Sequence, residues 1–133
     1  MASSKNKFDC ITPILNVSDM QQSLKYYSEV LGFEIAWQWG EPAGFACVKR
    51  DNVEIFLCDQ AQGAAPSWMS IFVADVDELH QHYVAAGAII RQPPTNFPWG
   101  VREMNVEDPD GHRFRIGSES SAPSDNIPLA EED

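Results

Sequence analysis

The sequence predicts an α+β fold made of two β-α-β-β-β modules in one chain. The first observation is an internal repeat in which Val17 and Asp19 match Val73 and Asp75 at one spacing (73 − 17 = 75 − 19 = 56). The second is a short turn signal inside a pair of strand-like runs, which occurs once in each half. A length of 133 residues suits one domain or two small halves that share a core.

The first module is predicted over residues 8–60. Its opening strand, ITPILNV, leads into a helix that Ser18 is expected to cap and that Gly32 ends in a left-handed conformation. The apolar face of this helix repeats at helical spacing. It consists of Met20, Leu24, Tyr27 and Leu31. The strand FEIAWQW follows, and the last two strands form a hairpin that turns at Asp51-Asn52.

The second module is predicted over residues 66–117, after a short linker. Asp75 caps its helix and Gly87 ends it, and the apolar face between them holds Val76, Leu79 and Tyr83. A hairpin turns at Asp110-Gly111, because Gly111 can adopt the positive φ that the turn needs. The stretch RQPPTNFPWG is expected to form a long loop, and residues 118–133 are expected to form a disordered acidic tail.

The charge of the chain argues against a nucleic-acid partner. The formal net charge is −11, from 20 acidic residues against 9 Lys plus Arg, whereas phosphate binding needs basic side chains. The sequence has no apolar run of ~18 residues and no apolar segment behind its first residues, so we expect no membrane span and no secretory signal. Three free thiols in strand-like runs are expected, at Cys10, Cys47 and Cys58. These features predict a cytoplasmic protein.

Three phrases of the sequence resemble a known protein family. They are ILNVSDMQQSLKYYSEVLGF, FVADVDELHQHYVAAGA and VEDPDGHRF. They are similar to the glyoxalase, bleomycin-resistance and extradiol-dioxygenase superfamily, also called vicinal oxygen chelate proteins, over almost the whole chain up to about Gly117. The resemblance implies curled mixed sheets that form a cleft. The segments GFACVKRDNVEIFL and FPWGVREMNVEDPDG are most similar to the bleomycin-resistance proteins, which implies a homodimer with modules paired across chains around a drug.

The positions where metal-dependent members of this superfamily hold their ligands carry unsuitable residues here. By the resemblance these positions are Thr12, Phe56 or Glu54, Trp68 and Arg115. Zinc and iron sites need three or more N, O or S donors, and at best one of these residues is a plausible ligand. The histidines are expected to be solvated surface residues at positions His80, His82 and His112. We therefore expect no metal, no cofactor and no catalytic residue.

Aromatic residues are the strongest binding signal in the sequence. Trp37 and Trp39 alternate with Ile35 and are expected to share one strand face, whereas Trp99 lies in a proline-flanked loop with little core to join. The resemblance places Trp37, Phe45 and Trp99 at aromatic positions of the drug cleft. The complete set of candidate ligand-binding residues is Trp37, Trp39, Phe45, Cys47, Phe56, Cys58, Trp68, Trp99, Arg102 and Met104.

Each class of candidate residue has an expected part in the cleft. Aromatic faces attract flat cations, and Arg102 is available to hydrogen-bond a carbonyl or carboxylate of the ligand. Acidic residues are expected at the rim, at Glu41, Asp59 and Glu103. Apolar residues are expected to line the floor if strand parity points them inward, at Cys47, Phe56, Cys58 and Met104. A slip of one residue would reverse the faces, and Trp68 suits the core as well as the cleft.

The function favoured by these observations is non-catalytic sequestration of a cationic aromatic antibiotic of the bleomycin type by a homodimer. The first alternative is a metal-dependent lyase, isomerase or dioxygenase of the same superfamily, against which the four metal positions argue. The second alternative is a binding module for an unrelated metabolite. The sequence barely separates this alternative from the favoured function, because a fold does not fix a ligand.

Overall fold

The computed structural model describes residues 5–59 and 62–125 and has two four-stranded mixed sheets. Sheet A has the order β1-β4-β3-β2, with β1 (Ile14–Val17), β2 (Glu34–Trp39), β3 (Phe45–Arg50) and β4 (Val53–Asp59). Sheet B has the order β5-β8-β7-β6, with β5 (Trp68–Phe72), β6 (Ile89–Phe97), β7 (Val101–Glu107) and β8 (Arg113–Glu119). In each sheet the first strand pairs in parallel with the last. This order confirms the two predicted β-α-β-β-β modules.

One helix follows the first strand of each module. Helix α1 (Met20–Lys25) continues into a π-helical turn (Tyr26–Val30), and α2 (Val76–Ala86) ends at Gly87 with φ of 87°. The carboxylate of Asp19 accepts a hydrogen bond from the backbone N of Gln22, so the expectation that Ser18 caps α1 is wrong. The equivalent Asp75 caps α2 as predicted. A carboxylate in this position satisfies an otherwise unpaired amide of the first turn.

A shared hydrophobic core joins the two modules. It contains residues from the inner face of sheet A, which are Leu15, Val17, Ala46, Val48, Ile55 and Leu57. It also contains residues from the inner face of sheet B and from the helices, which are Met104, Val106, Phe114, Ile116, Leu24, Tyr27, Val76 and Tyr83. Because side chains alternate along a strand, the residues between these core positions lie on the opposite, outer face of each sheet.

Hydrogen bonds across the module boundary hold the β7–β8 turn against the start of the first module. The hydroxyl of Tyr27 donates to the carboxylate of Asp108 at 2.7 Å, and burial of this carboxyl raises its pKa. The Nδ1 atom of His112 accepts from the backbone N of Ser67 at 3.1 Å, and Nε2 lies 2.8 Å from the carbonyl oxygen of Asn16. Since Nδ1 accepts, Nε2 carries the ring proton and donates. His112 is fully buried, so its predicted place on the solvated surface is wrong.

The proline-rich stretch of the second module is a strand, and the long loop predicted there is wrong. Strand β6 runs through Pro93 and Pro94 to Phe97, and residues 98–100 form the turn to β7. The pairing with β7 is irregular between Gln92 and Thr95. Strand β6 lies at an edge of sheet B, and the irregular pairing falls where its two prolines have no N–H to donate to β7.

The ends of the predicted segments also differ in detail. Strand β8 continues to Glu119, two residues past the predicted end of the second module, and the carboxylate of Asp125 accepts from the backbone N of Asn96 at 2.7 Å. Residues 126–133 lie outside the described residues, so the disordered tail remains a prediction there. Cys10 is exposed and precedes β1, which makes its predicted strand position wrong, whereas Cys47 and Cys58 lie buried in strands. No helix among the described residues is both long and apolar enough to cross a membrane.

Candidate functional site

Three aromatic rings form a cluster on the outer face of sheet A. The ring centroids of Trp37 and Phe45 are 5.4 Å apart, those of Trp37 and Phe56 are 5.5 Å apart, and those of Phe45 and Phe56 are 5.3 Å apart. We call these three residues the aromatic cluster. The side of the cluster at Trp37 is open, since this residue is 41% exposed. An open surface of rings can hold a flat ligand by stacking.

Strand register and a β-bulge bring the rings together. Cys47 in β3 lies between Trp37 on one neighbouring strand and Phe56 on the other. The register between β2 and β3 shifts after Ile35, which pairs with the core residue Val48. The extra residue of a bulge reverses which face the following side chains occupy. Ile35 therefore does not share the face of the tryptophans, which corrects the expected alternation.

The floor beneath the aromatic cluster consists of two buried thiols. Cys47 and Cys58 alternate along their strands with core residues and so belong to the outer face, although both are buried. Burial, and then the carboxylate of Glu54, raise the pKa of the Cys47 thiol. A neutral thiol behaves as a small apolar group. The structure thus places six of the candidate residues on one face, namely Trp37, Trp39, Phe45, Cys47, Phe56 and Cys58.

Two candidate residues lie away from this face. Met104 packs in the shared core beside Val106, so its expected place in the cleft floor is wrong: β7 presents the opposite parity to the one assumed. Arg102 donates from Nε to Asp77 in α2 at 2.9 Å and from Nη2 to the same carboxylate at 3.0 Å. This ion pair holds Arg102 against α2 rather than near the aromatic cluster.

The two remaining tryptophans occupy separate places in the second module. Trp68 lies on the outer face of sheet B, and the guanidinium carbon of Arg113 is 5.3 Å from its ring centroid. Trp99 lies in the turn between β6 and β7, where its ring stacks on that of Phe97 with centroids 5.0 Å apart and planes 2° apart. Trp99 is 50% exposed. Within one chain, neither ring joins the aromatic cluster.

The outer face of sheet B is polar, which the sequence reasoning missed. Arg113 donates to Glu107 at 2.8 Å, and Arg115 donates to Glu103 at 2.6 Å. Glu103 is buried, so its expected place at an exposed rim is wrong. Its hydrogen bond raises the pKa of Arg115, which therefore stays cationic. The predicted hairpin of β7 and β8 contained a signal for these ion pairs, because it has glutamates on one strand and arginines on the next.

Gly117 makes room for one of these ion pairs. A Cβ atom at this position would lie 2.9 Å from the Cβ of Glu103, which is closer than side chains approach. Without that atom, Glu103 can lie across β8 and reach the guanidinium of Arg115. The outer face of sheet B therefore holds Arg115 in an ion pair with Glu103, and the other arginine of this face, Arg113, lies beside the indole of Trp68.

The donor groups at the family's metal positions do not fit a zinc or iron ion. Trp68 offers no suitable donor, and Arg115 is a cation already bound to Glu103. Glu54 and Phe56 alternate with core residues of β4, and Glu54 is a single carboxylate there. Across residues 5–59 and 62–125 there is no group of three or more His, Cys, Asp and Glu side chains that could hold a metal.

Comparisons with known proteins agree with this architecture. Residues 7–116 match a family model described as the Glyoxalase/Bleomycin resistance protein/Dioxygenase superfamily. None of the curated proteins matches the chain. The fold is similar to that of TioX from Micromonospora sp. ML1, with 23% identity and a TM-score of 0.75 over 84% of this chain and 99% of TioX.

Two further solved structures show that this fold serves different functions. TnmS3, an antibiotic binding protein from Streptomyces sp. CB03234, has 22% identity and a TM-score of 0.74 over 88% of this chain and 100% of its own. A lactoylglutathione lyase from Agrobacterium tumefaciens has 19% identity and a TM-score of 0.70 over 84% of this chain and 95% of its own. At these identities the likeness concerns the fold, so the residues of the site must distinguish a binding protein from an enzyme.

Proposed function

Because the chain belongs to the glyoxalase/bleomycin resistance protein/dioxygenase superfamily, we propose that it is a non-catalytic protein that binds and sequesters an aromatic small molecule. The observation that carries this proposal is the aromatic cluster, whose three rings lie within 5.5 Å of one another and remain open at Trp37. A stable fold gains little from an indole left in water. A ligand ring stacked on it would bury that surface.

The proposed ligand is a cationic, aromatic antibiotic of the bleomycin type. Ring faces attract cations, and a net charge of −11 favours the approach of a cation from a distance. The fold of TnmS3, an antibiotic binding protein, is compatible with this role. The residues at the family's metal positions support binding without metal chemistry, because an indole and a guanidinium occupy two of the four.

A second copy of the chain would complete the cleft. The outer faces of both sheets leave large aromatic side chains in solvent, with Trp39 74% exposed and Trp68 38% exposed. We propose that the outer face of sheet A of one protomer meets the outer face of sheet B of its partner. In this arrangement the outer face of sheet B, where Arg113 and Arg115 are paired with Glu107 and Glu103, would lie opposite the aromatic cluster. Trp99 of the partner subunit would lie at the mouth of the cleft. Exposed apolar patches such as the outer face of sheet A mark interaction sites.

The oligomeric state tests whether two copies of the chain pair to form the cleft. Light scattering at micromolar concentration should give twice the 14.8 kDa mass of one chain. Trp39→Glu should yield a monomer, because it places a charge in the middle of the proposed interface. Val84→Glu, on the exposed surface of α2, is the matched control and should remain a dimer. A monomeric wild-type protein would contradict the composite cleft.

Titration with metal-free bleomycin tests the function itself. Protein dialysed against a chelator should bind about one drug molecule per chain with a Kd in the micromolar range or tighter, because the symmetric dimer has one cleft per chain. Tryptophan fluorescence should be quenched as a ring stacks on Trp37. Association should slow as salt is raised, since ~0.15 M salt screens charges beyond ~8 Å.

Each other result of this titration favours a different function. Binding that disappears after chelation would indicate the metal-dependent alternative. Binding of another planar compound in place of bleomycin would indicate an unrelated metabolite. Absence of binding to bleomycin and to any planar cation tested would refute the proposed function.

A further inference from the structure

A cavity of about 390 Å³ lies between the two modules, apart from the aromatic cluster. The β3–β4 turn, the end of β5 and the start of α2 surround it. Its volume falls within the range of pockets that bind small molecules. Its walls are mainly apolar and include Leu31, Phe33, Val53, Ile71, Leu79 and Phe114.

The internal repeat explains why this space is open. At the equivalent junction of the other module, Tyr27 donates to Asp108, the backbone N of Ser18 donates to Asp110, and His112 reaches Asn16. The 56-residue offset of the repeat maps residues 16–19 onto residues 72–75, which line the cavity. It also maps Tyr27 onto Tyr83.

The difference lies in the length of the hairpin turns. Residues 108–112 connect β7 to β8, whereas only Asp51 and Asn52 connect β3 to β4. The shorter turn lacks the side chains that fill the first junction, and Tyr83 donates instead to the carbonyl oxygen of Leu31 at 2.8 Å. By the repeat, the cavity corresponds to the junction that the longer turn fills in the other module, and the two-residue turn leaves it open.

The charged groups around the cavity select the charge of an occupant. Three acids line it, namely Asp51, Asp75 and Glu78. The lining also contains Arg50, whose Nη1 already donates to the carbonyl oxygen of Leu31 at 2.7 Å. An apolar wall beneath a net negative rim suits a molecule with an apolar body and a single ammonium group. We propose that this cavity is a second binding site, specific for a small amphipathic amine and independent of the aromatic cluster.

The proposal is tested with 4-phenylbutylamine as the probe and 4-phenylbutyrate as its anionic counterpart. In NMR titrations of the full-length protein labelled with ¹⁵N, the amine should shift the amide signals of Val53 and Leu79 saturably and leave the Trp37 indole signal in place. The butyrate should bind at least about tenfold more weakly, because it faces the same three acids. Trp37→Ala should not change amine binding, which separates this site from the proposed drug cleft.

Two variants locate the site. Ala74→Phe should lower the affinity for the amine at least about tenfold. Ala74 is exposed just before the cap of α2, and a phenyl ring there can pack on Leu79 as a hydrophobic staple and cover the cavity without disturbing the helix. Ala85→Phe, exposed on the same helix outside the lining, is the matched control and should keep the wild-type affinity. Glu78→Gln should weaken binding of the amine about threefold and strengthen binding of the butyrate by a similar factor, because the variant removes one of the three acids that attract the ammonium and repel the carboxylate.

Several outcomes would overturn the proposal. The affinities of the amine and the butyrate could be equal, or Ala74→Phe could bind the amine as tightly as the wild type. The NMR shifts could centre on the Trp37 indole, or no amide signal could shift saturably up to about 10 mM amine. Circular dichroism checks that Ala74→Phe is folded. Should that variant not fold, the comparison of Glu78→Gln with the wild type on the two probes decides the question, because a site without charge selection would show no difference.

Discussion

Trp37→Ala is expected to weaken the binding of metal-free bleomycin at least about thirtyfold, or roughly 2 kcal/mol. The indole forms the open side of the aromatic cluster, so its removal takes away the ring that a ligand would stack on and leaves a gap beside Phe45 and Phe56. Trp99→Ala is expected to have an effect of similar size. Its ring is held rigidly by the stack on Phe97, and a rigid aromatic ring binds at a low entropy cost.

Mixing these two variants tests whether the cleft combines two chains. Half of the dimers in an equal mixture contain one chain of each kind, and each mixed dimer has one intact cleft if Trp37 and Trp99 come from different chains. The mixture should therefore regain about a quarter of the wild-type binding sites by calorimetry. Failure to regain any sites, with both variants dimeric and folded, would show that the two residues do not act across the interface.

His112→Ala is expected to lower the free energy of unfolding by about 3 kcal/mol. The ring is fully buried and joins the two modules, because it accepts from the backbone of Ser67 and donates to the carbonyl of Asn16. Its removal leaves a void and takes the hydrogen-bond partner from two partly buried backbone groups. Urea denaturation followed by circular dichroism measures the loss.

The exposed His82 in α2 provides the control for this variant. His82→Ala should change the free energy of unfolding by no more than about 0.5 kcal/mol, because it removes no buried contact. If the free energy of unfolding falls no further in His112→Ala than in His82→Ala, the hydrogen bonds of the His112 ring do not hold the modules together.

Local signals predicted the fold well. The cap at Asp75 and the left-handed Gly87 each depend on residues within a few positions of one another, and both are present in the structure. The repeat was recognised because local signals of this kind recur 56 residues apart. His112 was placed wrongly because its partners lie 45 and 96 positions away in the sequence. Burial of a polar ring depends on such distant partners, and no local pattern reports them.

The candidate site shows the same division between local and distant information. In sheet A the turn at Asp51-Asn52 sets the pairing of β3 with β4, and the expected floor residues Cys47, Phe56 and Cys58 lie on the same face as Phe45. In sheet B, Met104 lies in the core because its face of β7 packs against the helices. The sequence of β7 alone does not show which of its two faces packs in this way. The bulge after Ile35 likewise arises from the pairing of β2 with β3, so simple alternation along the sequence of β2 did not predict it.

The two prolines within β6 also bear on how the protein resists aggregation. An edge strand offers unpaired N–H and C=O groups to any extended chain that approaches, and the pair Pro93-Pro94, which has no N–H, interrupts the donors along the edge of sheet B. The corresponding edge of sheet A is β2, whose six residues are all exposed and include no proline. Fibril-like growth should therefore begin along β2, and a partner subunit that covers this strand would protect the protein while it builds the cleft.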